Sequence, residues 1–210
     1  VILIVEALSD EFVNHFWQFI KDGEYAISEA GDKKQFYRFI KPQAKGFPKM
    51  IELFCRKPNL IREVEGMHLT DIPTGEEVSS LSAILLDDEY YQFALTNTQL
   101  INGLHIANEY ALICLKVRAF LNNSKRKAEG QEVKSEEIAK HKNDVIRLIA
   151  TLLPNNVVLI PDTIKQELKE YISIIRLENP DVKLLLKAQG AANISLEEII
   201  EQLELIFALK

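Results

Sequence analysis

Apolar residues open the chain as an unbroken run, Val1-Ile2-Leu3-Ile4-Val5, the pattern of a strand buried on both faces. The period then changes. Phe12, Val13, Phe16, Trp17 and Ile20 recur at helical spacing, which predicts an amphipathic helix. Ser9 stands where an N-cap belongs, Asp10 and Glu11 fill the first turn, and Gly23 predicts a stop near Lys21–Asp22. Three short segments rich in aromatic and branched residues follow, Tyr25–Glu29, Gln35–Lys41 and Lys49–Arg56. Gly31-Asp32 and the Pro42–Pro48 stretch separate them, and the set predicts a meander after the first β-α unit. Residues 57–81 are the least regular part. Ser82–Leu86 predicts a strand, Asp87–Leu95 a short helix, and Thr98–Ile106 a hairpin turning at Asn102-Gly103.

From Ala107 onward the period is helical. The spacing predicts helices near 107–128, 136–153, 161–178 and 195–208, with a shorter one around 181–188. Pro154, Pro161 and Pro180 punctuate them, and Lys125–Glu137 reads as a charged connector containing Gly130. The fold class is therefore α+β: a mixed sheet with flanking helices over residues 1–100, then a helical domain over 101–210, the join falling around 95–107.

Composition narrows the function classes. Of the 210 residues, 47% are hydrophobic and 27% charged, with a formal net charge of -6 and a pI near 5.4. That acidity argues against broad non-specific nucleic-acid binding, which needs clustered cations, and leaves room for a local basic groove. No apolar run approaches the roughly 20 residues a membrane helix needs, so no membrane partner is expected. Cys55 and Cys114 lie far apart in apolar surroundings and read as buried thiols in a reducing, cytoplasmic protein. The chain begins with Val inside a strand, without cap or turn, and the expectation is that the natural N-terminus lies upstream.

Three places invite chemistry. Glu52 sits in Met50-Ile51-Glu52-Leu53-Phe54-Cys55, where strand alternation sets its carboxylate on one face with Met50 and Phe54. A carboxylate there needs a cationic partner, either a divalent metal or a neighbouring Arg or Lys. Lys116 lies on the stripe of Ile113 and Phe120; its ammonium either snorkels to solvent or reaches into a cleft to meet phosphate oxygens. In Lys140-His141-Lys142-Asn143-Asp144-Val145-Ile146-Arg147-Leu148, Asp144 can touch His141 or Lys140 along the helix, or cross to Lys116 on the preceding helix. The bland alternative is a solvated face of local ion pairs. Signatures for a P-loop enzyme, a Rossmann oxidoreductase, a zinc protease and an α/β-hydrolase are absent, and the four histidines show no zinc-ligand spacing.

These segments together, the opening run through Leu8, Ile51-Glu52-Leu53-Phe54, Leu112-Ile113-Cys114-Leu115-Lys116 and the stretch from Lys140 to Leu148, resemble the bacterial nucleotidyltransferase-like proteins related to the AbiEii toxins of abortive-infection and toxin–antitoxin systems. The resemblance covers most of residues 1–153. It implies a magnesium-dependent transfer of NMP from an NTP to an RNA, protein or small-molecule acceptor. Glu52 then matches the third metal-binding carboxylate, Lys116 the lysine beside the triphosphate and Asp144 its helical partner. His141 and Lys142 are further nucleotide-binding candidates. The Gly-Ser turn and Asp-x-Asp pair of that superfamily do not occur here, and their expected place is immediately before Val1. One remaining acid cannot hold two magnesium ions, so the 210-residue chain by itself is expected to be inactive. A non-catalytic module that binds an antitoxin-like partner, and a structural α+β protein, stay open beside the enzyme. The enzyme reading expects Glu52 and Lys116 to converge on one phosphate-and-metal cleft.

Overall fold

The computed structural model describes residues 2–5, 10–30, 33–56, 69–72, 81–101, 104–153 and 156–210. The protein is α+β, a mixed sheet followed by a helical region. It divides into two compact units, Val1–Tyr91 and Gln92–Lys210, each described below by itself.

The first unit is organised by one strand. Strands β1 (Ile2–Val5), β2 (Ala26–Ala30), β3 (Lys33–Ile40), β4 (Met50–Arg56), β5 (Leu69–Ile72) and β6 (Leu81–Leu86) form one sheet. The expected meander is there, since β2, β3 and β4 pair antiparallel in sequence. β4 also pairs parallel with β1 over Glu52–Cys55 and with β6 over Phe54–Arg56. Helix α1 (Asp10–Asp22) lays its apolar stripe on this sheet. Val13, Phe16 and Ile20 are buried against Phe39, Ile51 and Leu53, and Phe16 meets Phe39 edge-on at 5.3 Å between ring centroids.

The end of α1 is held by a close approach rather than by a left-handed glycine. Gly23 is buried, and its carbonyl accepts from the amides of Gln43 at 3.1 Å and Ala44 at 3.4 Å. Those bonds bring the 41–49 connection over the helix terminus, where Phe47 packs on Phe19 at 4.9 Å and the Tyr25 hydroxyl donates to the Pro48 carbonyl at 2.5 Å.

α2 (Asp88–Thr96) follows β6. The second unit then carries the expected hairpin, β7 (Thr98–Ile101) with β8 (Leu104–Ala107), and helices α3 (Glu109–Ala128), α4 (Ser135–Ile149), α5 (Asp162–Glu178), α6 (Val182–Leu186) and α7 (Leu196–Ile206). Caps explain their bounds. The Asn108 side chain accepts from the Ala111 amide at 3.0 Å, Ser195 and Glu198 close a capping box at the start of α7, and Asn179 ends α5 in the left-handed region at φ 45. Ile113, Cys114, Val117, Val145, Ile149, Ile164, Leu168 and Tyr171 are buried, and Phe120 meets Tyr171 edge-on at 5.7 Å.

α3 ends at Ala128, where its spacing places the end; Lys125, Arg126 and Lys127 fill its last turn, where cations suit the helix dipole. Two sequence expectations need adjustment. α4 ends at Ile149, ahead of the predicted 153. β5 lies in the stretch read as irregular and pairs antiparallel with β6; four residues are too few to declare a period. Ser9, Gly31-Asp32, Asn102-Gly103 and most of 57–81 lie outside the described residues.

A Cβ on Gly23 would stand 2.4 Å from Tyr25 Cε2 and 2.8 Å from Phe47 Cδ1, so rings must move to admit it. Gly23→Ala should cost about 1–3 kcal/mol, read as a lower urea midpoint with an unchanged slope.

Candidate functional site

The site builds up from two helix faces. On α3, burial of Ile113, Val117 and Phe120 fixes the rotation of the helix and carries Lys116 to the edge of its apolar stripe. On α4, burial of Val145, Ile146 and Ile149 likewise turns Asp144 toward α3. The Lys116 ammonium donates from Nζ to Asp144 Oδ2 at 2.7 Å, with side-chain exposures of 26% and 23%. The cross-helix contact is therefore formed, and among the described residues Asp144 pairs with Lys116 and Arg147. Its second oxygen, Oδ1, accepts from Arg147 NH1 at 3.2 Å, a contact the sequence reading did not single out. Position i+3 on the same helix was the available signal.

The neighbouring candidates are used differently. Lys142 ion-pairs with Glu178 at the end of α5, and its backbone carbonyl accepts from the Tyr171 hydroxyl at 2.9 Å. Burial, with Glu178 adding to it, pushes the Tyr171 hydroxyl well above the usual phenol range. Lys142 thus fastens α4 to α5. His141 is half-buried, one turn before Asp144.

Glu52 belongs to the first unit. It faces Arg38 directly across β3 and β4, and Arg38 Nε donates to Glu52 Oε1 at 2.8 Å. The Glu52 side chain is 14% exposed, so the guanidinium supplies the cation such a carboxylate requires. Magnesium calls for near-octahedral oxygen ligation, whereas here one carboxylate already bonded to arginine is what the strand offers. Among the described residues no group of three or more His, Cys, Asp or Glu is placed to hold a metal ion. Among the described residues, too, no helix is long and apolar enough to cross a membrane.

Cys114 is a buried free thiol; the side chain of Cys55 lies outside the described residues. Burial first, then the charge of Glu167, pushes the Cys114 thiol far above its ordinary value, so it is no nucleophile at neutral pH.

No protein-family model, curated protein or solved structure matches the chain.

Two measurements check this arrangement. Asp144→Ala removes the carboxylate shared by two cations and should cost about 1–2 kcal/mol. A double-mutant cycle with Lys116→Met should return a coupling of about 1 kcal/mol by chemical denaturation. For Cys114 the sign follows from its raised folded pKa. The folded thiol keeps its proton while the unfolded one ionises above the ordinary value of 9.0, so the unfolded state binds fewer protons there. Stability should fall above that pH at up to about 1.4 kcal/mol per unit, and Cys114→Ala should remove that part of the slope.

Proposed function

We propose that this chain is the nucleotide-handling part of a nucleotidyltransferase-like protein related to the AbiEii toxins, and that its Lys116–Asp144 pair meets the phosphates of an NTP. The observation that carries the reading is the 2.7 Å bond from Lys116 Nζ to Asp144 Oδ2 across α3 and α4. The two residues are 28 apart in sequence, and each stands in a segment that resembles the family's lysine and aspartate segments. An ammonium held in place by one carboxylate loses less freedom on binding than a free lysine, so more of its attraction for phosphate appears as affinity.

In the parent reaction the acceptor hydroxyl oxygen bonds to the α-phosphorus of the NTP. The bond from that phosphorus to its bridging oxygen breaks, pyrophosphate leaves with the electron pair, and the hydroxyl proton passes to solvent. Lys116 serves by binding and orienting the phosphates through charge. RNA, a protein and a small molecule all remain acceptor classes, and a cytoplasmic setting with magnesium belongs to the same proposal.

The Arg38–Glu52 bond favours a second reading, a nucleotidyltransferase-fold module of a toxin–antitoxin-type pair that performs no chemistry. A carboxylate engaged by arginine holds two strands together without a metal.

Calorimetric titration of ATP with magnesium separates the two. Under the first reading Lys116→Ala weakens binding at least tenfold, the loss of about one charge-assisted hydrogen bond. Glu52→Ala then shows whether the sheet carboxylate takes part. Equal affinity in wild type and both variants removes both residues from the site, and no binding at all leaves the module reading.

A further inference from the structure

From Tyr90 to Asn108 the chain carries no Asp, Glu, Lys or Arg, although 27% of its residues are charged. That stretch holds the β7–β8 hairpin, a two-stranded sheet to which no third strand pairs among the described residues. Leu100 is 66% exposed, and Ile101 and Ile106 are each 46% exposed. Leu100 shares one face of the hairpin with His105, its cross-strand partner, while Ile101 and Ile106 share the other. Both faces therefore present apolar side chains to solvent.

A two-stranded hairpin is marginal by itself, and its outer edges offer N–H and C=O groups to any strand that approaches. Proteins that stay apart guard such edges with a charge, a proline or a bulge. The end strands of the first unit's sheet follow that practice, β2 carrying Glu29 and β5 Asp71. The hairpin has none of the three guards. Thr98–Ile101 and Leu104–Ala107 contain no Asp, Glu, Lys, Arg or Pro, and their register runs unbroken from Thr98↔Ala107 to Ile101↔Leu104. β7 is the freer strand: Gln99, Leu100 and Ile101 are all exposed, whereas β8 lies against α3.

The charge pattern decides what the edge accepts. A charged strand laid on β7 would strip water from its ions and meet no counter-charge. A lipid surface is no better suited, since the stretch offers no Lys or Arg to anionic headgroups. A second copy of β7 brings the same neutral, apolar strand, and antiparallel pairing of identical edges closes on a twofold axis. We propose that two copies of this chain join edge to edge through β7, making a four-stranded sheet in the order β8-β7-β7-β8. Directly opposed residues share a face, so a pair centred on Leu100 sets it opposite Leu100 of the second copy and Gln99 opposite Ile101. Further neutral surface borders the hairpin. Asn156 Nδ2 donates to the Tyr110 hydroxyl at 3.4 Å, which brings the exposed Val157 and Leu159 to the hairpin's end of α3; they belong to a second uncharged stretch, Leu148–Pro161. A four-residue strand pair with this border is a small interface, so the dimer is reversible.

Sedimentation equilibrium from about 1 µM to about 1 mM covers such an affinity. The wild-type chain should pass from monomer to dimer as its concentration rises. Leu100→Lys, at a solvent-facing position, should weaken dimerisation about tenfold by setting two ammonium groups against each other. Leu177→Lys adds the same charge at an exposed position of α5 and should leave the dimer unchanged. Circular dichroism checks that both variants fold. Under oxidation Leu100→Cys should give a disulfide-linked dimer, because opposed Cβ atoms stand about 4.5–5.5 Å apart; Leu177→Cys should not. A monomer at every concentration overturns the proposal and leaves the edge to a strand of another protein. A dimer that Leu100→Lys leaves intact, or that Leu100→Cys fails to cross-link, also overturns it. Assemblies larger than a dimer overturn the closed twofold pair.

Discussion

Asp144 is the residue on which the second unit's polar architecture turns. Lys116 emerges from a helix face that is otherwise apolar, with Ile113, Val117 and Phe120 buried beside it. An ammonium at the edge of that face needs a local counter-charge or a path to water. The carboxylate on α4 supplies the counter-charge at 2.7 Å. Hydrophobic burial sets the rotation of each helix, and that rotation brings the two charged atoms within reach. With both oxygens engaged, the carboxylate also holds Arg147, so one acid brings two cations together. Packing thus creates the arrangement that the proposed phosphate chemistry uses.

The first unit solves a comparable problem in a different way. Glu52 lies on β4, the strand to which β1, β3 and β6 all pair, and its direct cross-strand neighbour is Arg38. A charge-assisted bond at 2.8 Å between adjacent strands adds to register specificity, because slipping β3 by one residue would turn Arg38 to the other face. That bond suffices to explain a carboxylate placed between Met50 and Phe54. The two candidate carboxylates therefore differ in their partners: Glu52 is bonded to one cation, whereas Asp144 is shared by two.

An exact pairing of charges has nothing left for a ligand, while a patch with surplus cations attracts anions even on an acidic protein. Lys142, a nucleotide-binding candidate by resemblance, is occupied in fastening α4 to α5 through Glu178.

Local periodicity determined much of this protein. The amphipathic stripe of α1, the antiparallel run of β2 to β4, the hairpin strands β7 and β8 and the four long helices after Ala107 all follow from spacings within one segment. Such spacings record which face each segment buries. Lys116 and Asp144 were legible as candidates for the same reason, each being a charge whose place on its helix could be read. What lay beyond a single segment was decided by tertiary structure. Arg38 became the partner of Glu52 through strand register, β5 acquired its identity by pairing with β6, and Lys142 was claimed by a residue 36 positions away. The choice of Asp144 for Lys116 and Arg147 over Lys140 belongs with these. Several partners are within reach along any helix or strand, and only the packing of one element against another selects among them.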